Sequence, residues 1–418
     1  MVVAPARPAS TKPDAKQFYF DGRKAELMEQ IKFAIVGCGS VSGNRYFPHL
    51  GDLPRGRLTA VCDVVAERAR RRGEEFGVPY YTNFEEMIEK ADFDLLVNLA
   101  TVQEHYALNL KALQEGKHVY TQKPMANTVA EASALIKEAA KRALKLVAED
   151  ACPIFPYNLA IRKLVQGGVI GKVVWARSRC THWGAAMIDN WPTDPAWFYQ
   201  KGAGPLRDVG IERLQLLTSI LGPVRRVTAM SGINQPAVVV RGGPNKGKRI
   251  EVEEDDVTLL TMDFGDSIFA MLDCAWIATP FASRVPDLEI YGSKGIISST
   301  GGGPKARPYT LELYRDRPEL GIRGASVIDL IPPVKPDPPP QVLGLAHALD
   351  CIVDNTEPIL SGEHSRHCIE IIDKAFLAAR TGITQAIENT FDCARYSEAV
   401  CPSMAQGKAQ PTKGGGNR

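Results

Sequence analysis

The stretch IKFAIVGCGSVSG, residues 31–43, decides the fold. An apolar run leads into Gly37 and Gly39, and a helical pattern begins directly after them. Glycine at the first position allows the tight turn that follows the first strand of a Rossmann fold, and glycine at the second lets the backbone approach a pyrophosphate. Ser42 takes the third position, which needs only a small residue. The stretch therefore predicts a dinucleotide-binding turn.

A second strand-like run, RLTAVCD at residues 57–63, strengthens this prediction because it ends in an acidic residue. There Asp63 would accept hydrogen bonds from the adenosine ribose hydroxyls and would repel a 2′-phosphate. We therefore expect NAD in preference to NADP, while nearby arginines leave NADP open. The alternative role of Asp63, as the N-cap of the following helix, is compatible with ribose binding.

The pattern of apolar residues changes near the middle of the chain. Strand-like and amphipathic helical runs alternate as far as residue 150, which predicts a parallel sheet with helices on its faces. Longer strand-like runs then follow one another with few helices between them. The predicted fold class is α/β: an N-terminal Rossmann domain followed by an α+β domain with a large, open, mostly antiparallel sheet.

The same pattern predicts the division of the chain. We expect a flexible N-terminal extension at residues 1–28, the Rossmann domain at 29–150, the second domain at 151–395 and a flexible tail at 396–418. A Gly- and Pro-rich stretch at residues 301–341 favours an extended surface connection.

Composition argues against several classes of partner. Fifty basic and forty-eight acidic residues leave a net charge of +2 without a block of like charges, so we expect neither a nucleic acid nor a membrane as partner. Nine cysteines fit no disulfide framework or zinc site, and no apolar run is long enough for a signal peptide or membrane span. We expect a cytoplasmic protein. His364 and His367 are three apart but lack a third ligand, so we predict no metal.

From Lys32 to about Gly382 the chain resembles the glucose-fructose oxidoreductase, inositol dehydrogenase and rhizopine-catabolism family, written Gfo/Idh/MocA. The resemblance implies a Rossmann domain, and a second domain that binds substrate and forms a homodimer or homotetramer through its sheet. The resemblance rests on six motifs that occur in the family's order and spacing: GCGSVSG (37–43), AVCD (60–63), ATVQEH (100–105), GKHVYTQKP (116–124), GPLRDVGIE (204–212) and EIYGSKGII (289–297).

The family's E-K-P motif maps onto Gln122, Lys123 and Pro124. The resemblance implies that Lys123 lies beside the nicotinamide and the reacting hydroxyl, where its ammonium could stabilise an alkoxide or shuttle a proton if its pKa is lowered toward ~7 to 8. The alternative is a surface lysine after a strand. Gln122 departs from the family's glutamate, so a possible orienting carboxylate for Lys123 or the ribose is lost.

The family's D-x-G-x-H motif maps onto Asp208, Gly210 and Glu212, with glutamate where the family has its histidine base. Asp208 and Glu212 are four apart and would project from one face of a helix start. Two carboxylates in a desolvated pocket can raise each other's pKa, so one could act as general base near neutral pH. Alternatively, Glu212 is structural: it favours the helix N-terminus or pairs with Arg207 or Arg213.

Weaker candidates surround these residues. His182 ends a strand and could lie at the pocket mouth; alternatively, it is a surface residue. Tyr157 falls where family members often contact substrate; alternatively, it is an aromatic residue that packs in the core. An aromatic loop at residues 183–199 could stack a sugar ring or form an oligomer contact. The glycine-rich turn at residues 37–43 is called the fingerprint turn below. The remaining cofactor-binding candidates lie in this turn and in the ATVQEH motif: Cys38, Ser40, Val41, Ala100, Thr101 and His105.

Three functional hypotheses follow. The first is an NAD-dependent oxidoreductase that acts on a secondary alcohol of a sugar, glycoside or polyol, with Lys123 or Glu212 taking the hydroxyl proton. The second is an NAD-dependent glycosidase that works by transient oxidation, elimination and re-reduction, suggested by the replaced motif residues Gln122 and Glu212. The third is a noncatalytic NAD-binding protein, against which Lys123 and Asp208 argue.

Overall fold

Six parallel strands form the first sheet of the computed structural model, which describes residues 30–149, 152–276, 287–300, 310–316, 318–320, 327–331 and 340–396. Its elements are β1 (Ile31–Val36), β2 (Gly56–Cys62), α1 (Ala66–Phe76), β3 (Tyr80–Tyr81), α2 (Phe84–Lys90), β4 (Leu95–Asn98), α3 (His105–Gln114), β5 (His118–Thr121), α4 (Val129–Lys141) and β6 (Leu146–Ala148). The strand order β3-β2-β1-β4-β5-β6 is that of a Rossmann fold.

The register of this sheet aligns the carboxyl ends of its central strands. Val36 is level with Cys62 on one side and with Asn98 on the other, and Asn98 is level with Thr121. The residues that follow these four strand ends therefore gather at one edge of the sheet, where ligands of open α/β folds bind.

The rest of the described chain builds a second sheet and the helices on it. Its elements are α5 (Pro156–Gln166), β7 (Val173–His182), α6 (Ile211–Leu221), β8 (Arg226–Gly232), β9 (Ala237–Val239), β10 (Arg249–Glu251), β11 (Val257–Gly265), β12 (Ile268–Trp276), β13 (Leu288–Gly292), β14 (Gly295–Thr300), β15 (Thr310–Arg315), β16 (Val327–Ile331), α7 (Pro340–Val353), α8 (Gly362–Thr381) and β17 (Gln385–Ala386).

Nine of these strands form one sheet in the order β16-β15-β14-β13-β7-β12-β11-β8-β17. Each neighbouring pair is antiparallel except β7 and β12, which run parallel, and β9 and β10 form a separate two-stranded ribbon. Helices α6 and α8 pack on one face of the large sheet. The predicted fold class is confirmed.

The prediction of an extended connection over residues 301–341 is wrong for two segments. TLELYR and VIDLI form the strands β15 and β16, and β15 pairs with β14. Their β-branched and apolar residues suit a strand, and the backbone hydrogen bonds offered by the sheet outweigh the Gly- and Pro-rich flanks. Most of the remainder of this stretch lies outside the described residues.

Helix α7 belongs by sequence to the predicted second domain but packs on the first sheet. Its buried side chains Val342, Leu345 and Leu349 join the same apolar cluster as Phe33 and Ile35 of β1. The predicted domain limits stay a prediction, and the first core has a component from a distant part of the chain.

The ends of helix α8 follow from local sequence. Ser361 accepts a hydrogen bond from the backbone N–H of His364 at the first turn, and Gly382 closes the last turn with a φ of +69°. Gly382 is therefore the C-cap of this helix. The predicted flexible segments 1–28 and 396–418 lie outside the described residues, apart from Tyr396.

Among the helices described above, none combines the length and the apolar character that crossing a membrane requires.

Candidate active site

The fingerprint turn has the backbone conformation that its glycines permit. Gly37 has a φ of +92°, and a Cβ there would lie 2.5 Å from the carbonyl carbon of Leu99. At Gly39 no atom lies within 4 Å of the position that a Cβ would take. The turn is thus tight at Gly37 and open at Gly39, which fits a backbone that must approach a pyrophosphate.

The segment after the turn differs from the regular helix that the sequence pattern suggests. Ser42–Tyr46 is a π-helical turn and Phe47–Asp52 is a 3₁₀ helix. Pro48 lacks a backbone N–H and so cannot continue an α-helical ladder. Ser42 is buried and its hydroxyl donates to the Gly39 carbonyl at 3.0 Å, so it supports the turn from below. Ser40 is half-buried, and Val41 is 41% exposed beside the turn.

Asp63 organises the fingerprint turn from the end of β2. One carboxylate oxygen accepts from the backbone N–H of Cys38 at 2.8 Å, and the other accepts from the N–H of Val65 at 2.8 Å. Val65 is the N-cap of α1, so Asp63 does not fill that position itself. Burial, with Asp63 beside it, raises the pKa of the Cys38 thiol to about 12, which keeps the thiol neutral.

His105 joins the ends of β4 and β5. It is buried, with Nδ1 2.7 Å from the Pro124 carbonyl oxygen and Nε2 3.1 Å from the Ala100 carbonyl oxygen. Burial lowers the pKa of His105, and its contacts with the two carbonyls oppose that shift. His105 therefore links Ala100 to the motif that contains Lys123. Thr101, which follows Ala100, is exposed.

Lys123, Asp208 and Glu212, the three residues predicted to be catalytic, lie in contact with one another through Lys123. Lys123 Nζ lies 2.9 Å from Asp208 Oδ1 and 3.2 Å from Glu212 Oε1, and it also donates to the main-chain oxygen of Asp208. Several oxygen acceptors around one nitrogen favour the protonated ammonium, which has three donors. Side-chain exposure rises from 14% at Lys123 through 24% at Asp208 to 38% at Glu212, so Glu212 is the most accessible of the three.

A π-helical turn that the sequence did not indicate carries Asp208. Leu206–Gly210 is π-helical and continues into α6, whose first turn contains Glu212. A Cβ on Gly210 would lie 2.8 Å from Leu206 Cδ1 and 3.2 Å from Cys274 Sγ, so the turn packs closely on β12 there. Arg207, an alternative partner considered for Glu212, contacts Asp373 at 2.6 Å instead.

His182 lies beside this cluster at the end of β7. Its Nδ1 accepts from the backbone N–H of Gly184 at 3.0 Å, so the neutral ring carries its proton on Nε2. Burial lowers the pKa of His182, whereas the nearby charges of Asp208 and Glu212 raise it. The ring is thus a neutral hydrogen-bond donor next to the carboxylates.

On the face of β7 that leads to His182, the residues Ala176, Ser178 and Cys180 are buried. Val174, two residues before Ala176, is 46% exposed, because the pairing with β13 shifts register at the start of the strand. Tyr157 lies in the first turn of α5. The position of its side chain lies outside what the structure describes.

The aromatic loop forms a small core of its own. Phe198 and Tyr199 are buried with Trp276 against the β9–β10 ribbon, and Trp191 and Trp197 pack on them. Trp183, directly after His182, is 37% exposed. Most of this loop is therefore structural, and Trp183 is its exposed aromatic near the cluster.

The histidines considered for a metal have other partners. His364 Nε2 lies 2.6 Å from Thr218 Oγ1, and His367 Nε2 accepts from the backbone N–H of Val224 at 3.0 Å. Within the described ranges, no group of three or more His, Cys, Asp and Glu side chains is arranged to hold a metal ion. The eight cysteines described are free thiols. The metal-free site and the cytoplasmic location stay predictions.

Three residues behind this edge, Tyr46, Tyr120 and Glu149, were not predicted from the sequence. Gln122 Nε2 donates to Tyr46 Oη at 2.7 Å, Tyr46 Oη lies 3.1 Å from Tyr120 Oη, and Tyr120 donates to Glu149. All three are buried. The signal available in the sequence was the position of Glu149, which directly follows the short strand β6 as Gln122 follows β5.

A Rossmann edge with a fingerprint turn, faced by a lysine between two carboxylates, is the arrangement of a dinucleotide-binding oxidoreductase. Residues 31–149 match the family model of GFO_IDH_MocA, the oxidoreductase family with an NAD-binding Rossmann fold, and residues 158–298 match the GFO/IDH/MocA C-terminal domain. The two matches cover more than half of the chain. The protein belongs to the GFO/IDH/MocA family of oxidoreductases, and its first domain is the NAD-binding domain of that family.

Individual relatives agree with this family assignment. The D-apiose dehydrogenase of Paraburkholderia graminis is 22% identical over 373 residues, which are 87% of this chain and 91% of the relative. An oxidoreductase from Agrobacterium radiobacter, solved with NAD+, L-tartaric acid and magnesium, is 21% identical, with a TM-score of 0.68 over 86% of this chain and 98% of that chain.

The aldose-aldose oxidoreductase of Caulobacter crescentus, solved with glycerol, is 23% identical, with a TM-score of 0.68 over 86% of this chain and 100% of that chain. At these identities the solved structures establish the fold alone. The predicted family, fold class, oxidoreductase class and NAD cofactor are confirmed.

Proposed function

We propose that the protein oxidises a secondary alcohol of an uncharged sugar or polyol, with NAD as hydride acceptor. The observation that carries this proposal is the contact of Lys123 with both Asp208 and Glu212, at the sheet edge that also holds the fingerprint turn. Bound NAD supplies the hydride acceptor, and the protein supplies orientation and proton transfer.

Glu212 is the proposed proton acceptor. It is the most exposed of the three groups, so a sugar hydroxyl can reach it, while Asp208 contacts Lys123 through its carboxylate and its main-chain oxygen. Lys123 keeps its proton in these contacts. Its ammonium then stabilises the negative charge that develops on the substrate oxygen as hydride leaves the carbon.

His182 has a supporting role in this proposal. With Nδ1 occupied by the Gly184 N–H, the neutral ring offers Nε2–H to a sugar hydroxyl. A ring in this tautomer is a donor and cannot take a proton at Nε2. Its proximity to Asp208 and Glu212 makes it a suitable positioning group for a second hydroxyl of the substrate.

The residues at the sheet edge that carries the fingerprint turn would bind the NAD cofactor. Gly37 and Gly39 would accommodate the pyrophosphate, and Asp63, at the end of β2, would accept from the adenosine ribose hydroxyls. Ala100 and Thr101, held by His105, would lie along the nicotinamide half together with Gln122. The open space at Gly39 supports this fit.

The substrate is proposed to be uncharged because the arginines that could have bound an acidic sugar have other partners. Arg177 and Arg179 both contact Asp273, on the face of β7 away from His182. Arg207 contacts Asp373, and Arg162 donates to the Cys393 carbonyl oxygen. The relative named D-apiose dehydrogenase is consistent with a neutral sugar.

The test is a substrate panel. The purified protein is incubated with NAD and with neutral sugars, polyols, sugar acids and aryl glycosides, while the absorbance of NADH and of released aglycone is followed. We expect NADH in proportion to a neutral sugar or polyol consumed. Aglycone release without net NADH would establish the glycosidase instead, and turnover of sugar acids alone would overturn the substrate class.

We also propose that the protein forms a homodimer or homotetramer through the outer face of the large sheet, the face opposite α6 and α8. Four apolar side chains of this outer face are exposed: Met230 by 79%, Leu259 by 53%, Phe269 by 44% and Met271 by 46%. Leu259 pairs with Met230 across β11 and β8, and Phe269 and Met271 lie on the same face of the adjacent strand β12, so exposed apolar side chains recur on three neighbouring strands. Exposed apolar surface grouped in this way marks an interaction surface.

The solution mass tests the oligomer. We expect a dimer or tetramer for the natural protein and a monomer for the double variant Met230→Lys, Leu259→Lys. Val239→Lys is the matched control, since Val239 is 52% exposed on the separate β9–β10 ribbon. A monomeric natural protein, or an unchanged mass for the double variant, would refute the proposed interface.

A further inference from the structure

A chain of hydrogen-bonded polar side chains leads from the cofactor edge, where its first member is half-buried, into the core, where the other members are buried. It consists of Gln122, Tyr46, Tyr120 and Glu149, and we call it the tyrosine chain. Gln122 Nε2 lies 2.7 Å from Tyr46 Oη, Tyr46 Oη lies 3.1 Å from Tyr120 Oη, and Tyr120 contacts the Glu149 carboxylate. Its outer end, Gln122, directly precedes Lys123.

The inner part of the tyrosine chain is closed to water. Tyr46 and Tyr120 are fully buried and Glu149 is 2% exposed. A Cβ on Gly344 of helix α7 would lie 2.3 Å from Glu149 Oε2 and 2.9 Å from Tyr120 Oη, so the glycine lets α7 close over this end. Hydrogen bonds in such surroundings are strong when they are complete and costly when one is missing.

Counting protons fixes the direction of every link. Tyr120 donates to Glu149, whose carboxylate, when it is ionised, only accepts. Tyr120 then has no proton for Tyr46, and Tyr46 donates to Tyr120. Tyr46 can therefore only accept from Gln122, which requires the amide nitrogen, as observed. Burial, with Glu149 nearby, raises the pKa of Tyr46 and of Tyr120 well above the usual value, so both phenols keep their protons.

We propose that the tyrosine chain is a positioning device that sets the Gln122 amide, so that its carbonyl oxygen faces the nicotinamide side of the cofactor cleft next to Lys123. This inference rests on the proposed assignment of that edge as the cofactor site. Gln122 Oε1 already faces the backbone N–H of Lys123 at 3.4 Å, which is the orientation the chain imposes.

The same count explains why position 122 holds an amide. A carboxylate at both ends would leave two phenol protons for three contacts, so one contact would lose its hydrogen bond. Reversing both ends restores the count: with Gln122→Glu and Glu149→Gln together, the amide at 149 donates to Tyr120, Tyr120 to Tyr46, and Tyr46 to the new carboxylate.

The experiment is a double-mutant cycle on the full chain, read by the dissociation constant for NAD in a calorimetric titration without substrate. Gln122→Glu should weaken NAD binding about tenfold, whereas Glu149→Gln, which still accepts from Tyr120, should weaken it about threefold. The double variant should bind within about threefold of Glu149→Gln, and adding Tyr46→Phe should abolish this rescue. Thermal unfolding of each variant identifies any that fails to fold.

The outcomes separate the claims. NAD binding unaffected by Gln122→Glu, or a loss that Glu149→Gln does not rescue, overturns the positioning role. Rescue that survives Tyr46→Phe also overturns it, because the chain would then be interrupted. Since the titration needs no sugar, the cycle can succeed even when the substrate panel fails, and it can fail even when the panel gives NADH.

Discussion

Two π-helical turns serve the site, and they use their inward side chains differently. Ser42–Tyr46, after the fingerprint, places Tyr46 fully in the core, where it contacts Gln122 and Tyr120. Leu206–Gly210, before α6, leaves Asp208 partly exposed against Lys123. A π-helical turn differs in residue spacing from an α-helix, and such turns occur frequently at functional sites. The first turn therefore holds the Gln122 amide through a buried tyrosine, and the second places the Asp208 carboxylate beside Lys123, where it is partly exposed.

The largest effect should come from removing the Lys123 ammonium, which contacts Asp208 in the second turn. Lys123→Ala should lower kcat by roughly 10²- to 10⁴-fold, because the developing charge on the substrate oxygen loses its counter-ion. NAD binding, measured by titration, should persist. Lys123→Arg is the control that keeps the charge and should recover part of the activity. Unchanged turnover in Lys123→Ala would remove Lys123 from the mechanism.

The next effect distinguishes the two carboxylates of the second turn. Glu212→Gln should lower kcat about 10²-fold if Glu212 accepts the proton, since the amide cannot. Asp208→Asn, the matched change one helical turn away, should act mainly through the position of Lys123 and lower kcat less. If Glu212→Gln alters only the unfolding temperature, the carboxylate is structural.

A smaller effect is expected at the fingerprint side. Asp63→Asn should reduce the preference for NAD over NADP by about tenfold, because a neutral amide no longer repels a 2′-phosphate. The two dissociation constants, measured for the natural protein and the variant, give the ratio. Tighter binding of NADP than of NAD by the natural protein would contradict the role of Asp63.

The smallest effect tests the first turn alone. Tyr46→Phe should lower the free energy of unfolding by about 1–2 kcal/mol, because the buried Tyr120 and the half-buried Gln122 each lose a hydrogen-bond partner. Chemical denaturation of the variant measures this change. An unchanged stability would mean that the hydrogen bonds of Tyr46 contribute nothing net to the core.

Much of the fold, and the residues of the cluster formed by Lys123, Asp208 and Glu212, could be predicted from local sequence. The glycines at 37 and 39, the acidic end of β2 and the alternation of runs predicted the Rossmann sheet, because these features depend on neighbours in the chain. The spacing of Asp208 and Glu212 predicted that both carboxylates would share a face, and both contact Lys123.

What could not be predicted depends on contacts between distant segments. Helix α7 packs on β1 across more than half of the chain, and no periodicity encodes its partner. Tyr46, Tyr120 and Glu149 belong to three separate strand or turn ends, so their chain is visible only in three dimensions. Strands β15 and β16 form where the composition favoured extended chain, because the sheet supplied partners.

The central claim is that Glu212 accepts the substrate proton, and the pH profile of kcat/KM for Glu212→His tests it most directly. A general base must be deprotonated to work, and histidine titrates at about 6.5, whereas glutamate in model peptides titrates at about 4.3. The account predicts an active variant whose acid limb moves to higher pH than in the natural protein. An acid limb that stays in place in an active variant would contradict it and would assign the proton to another group.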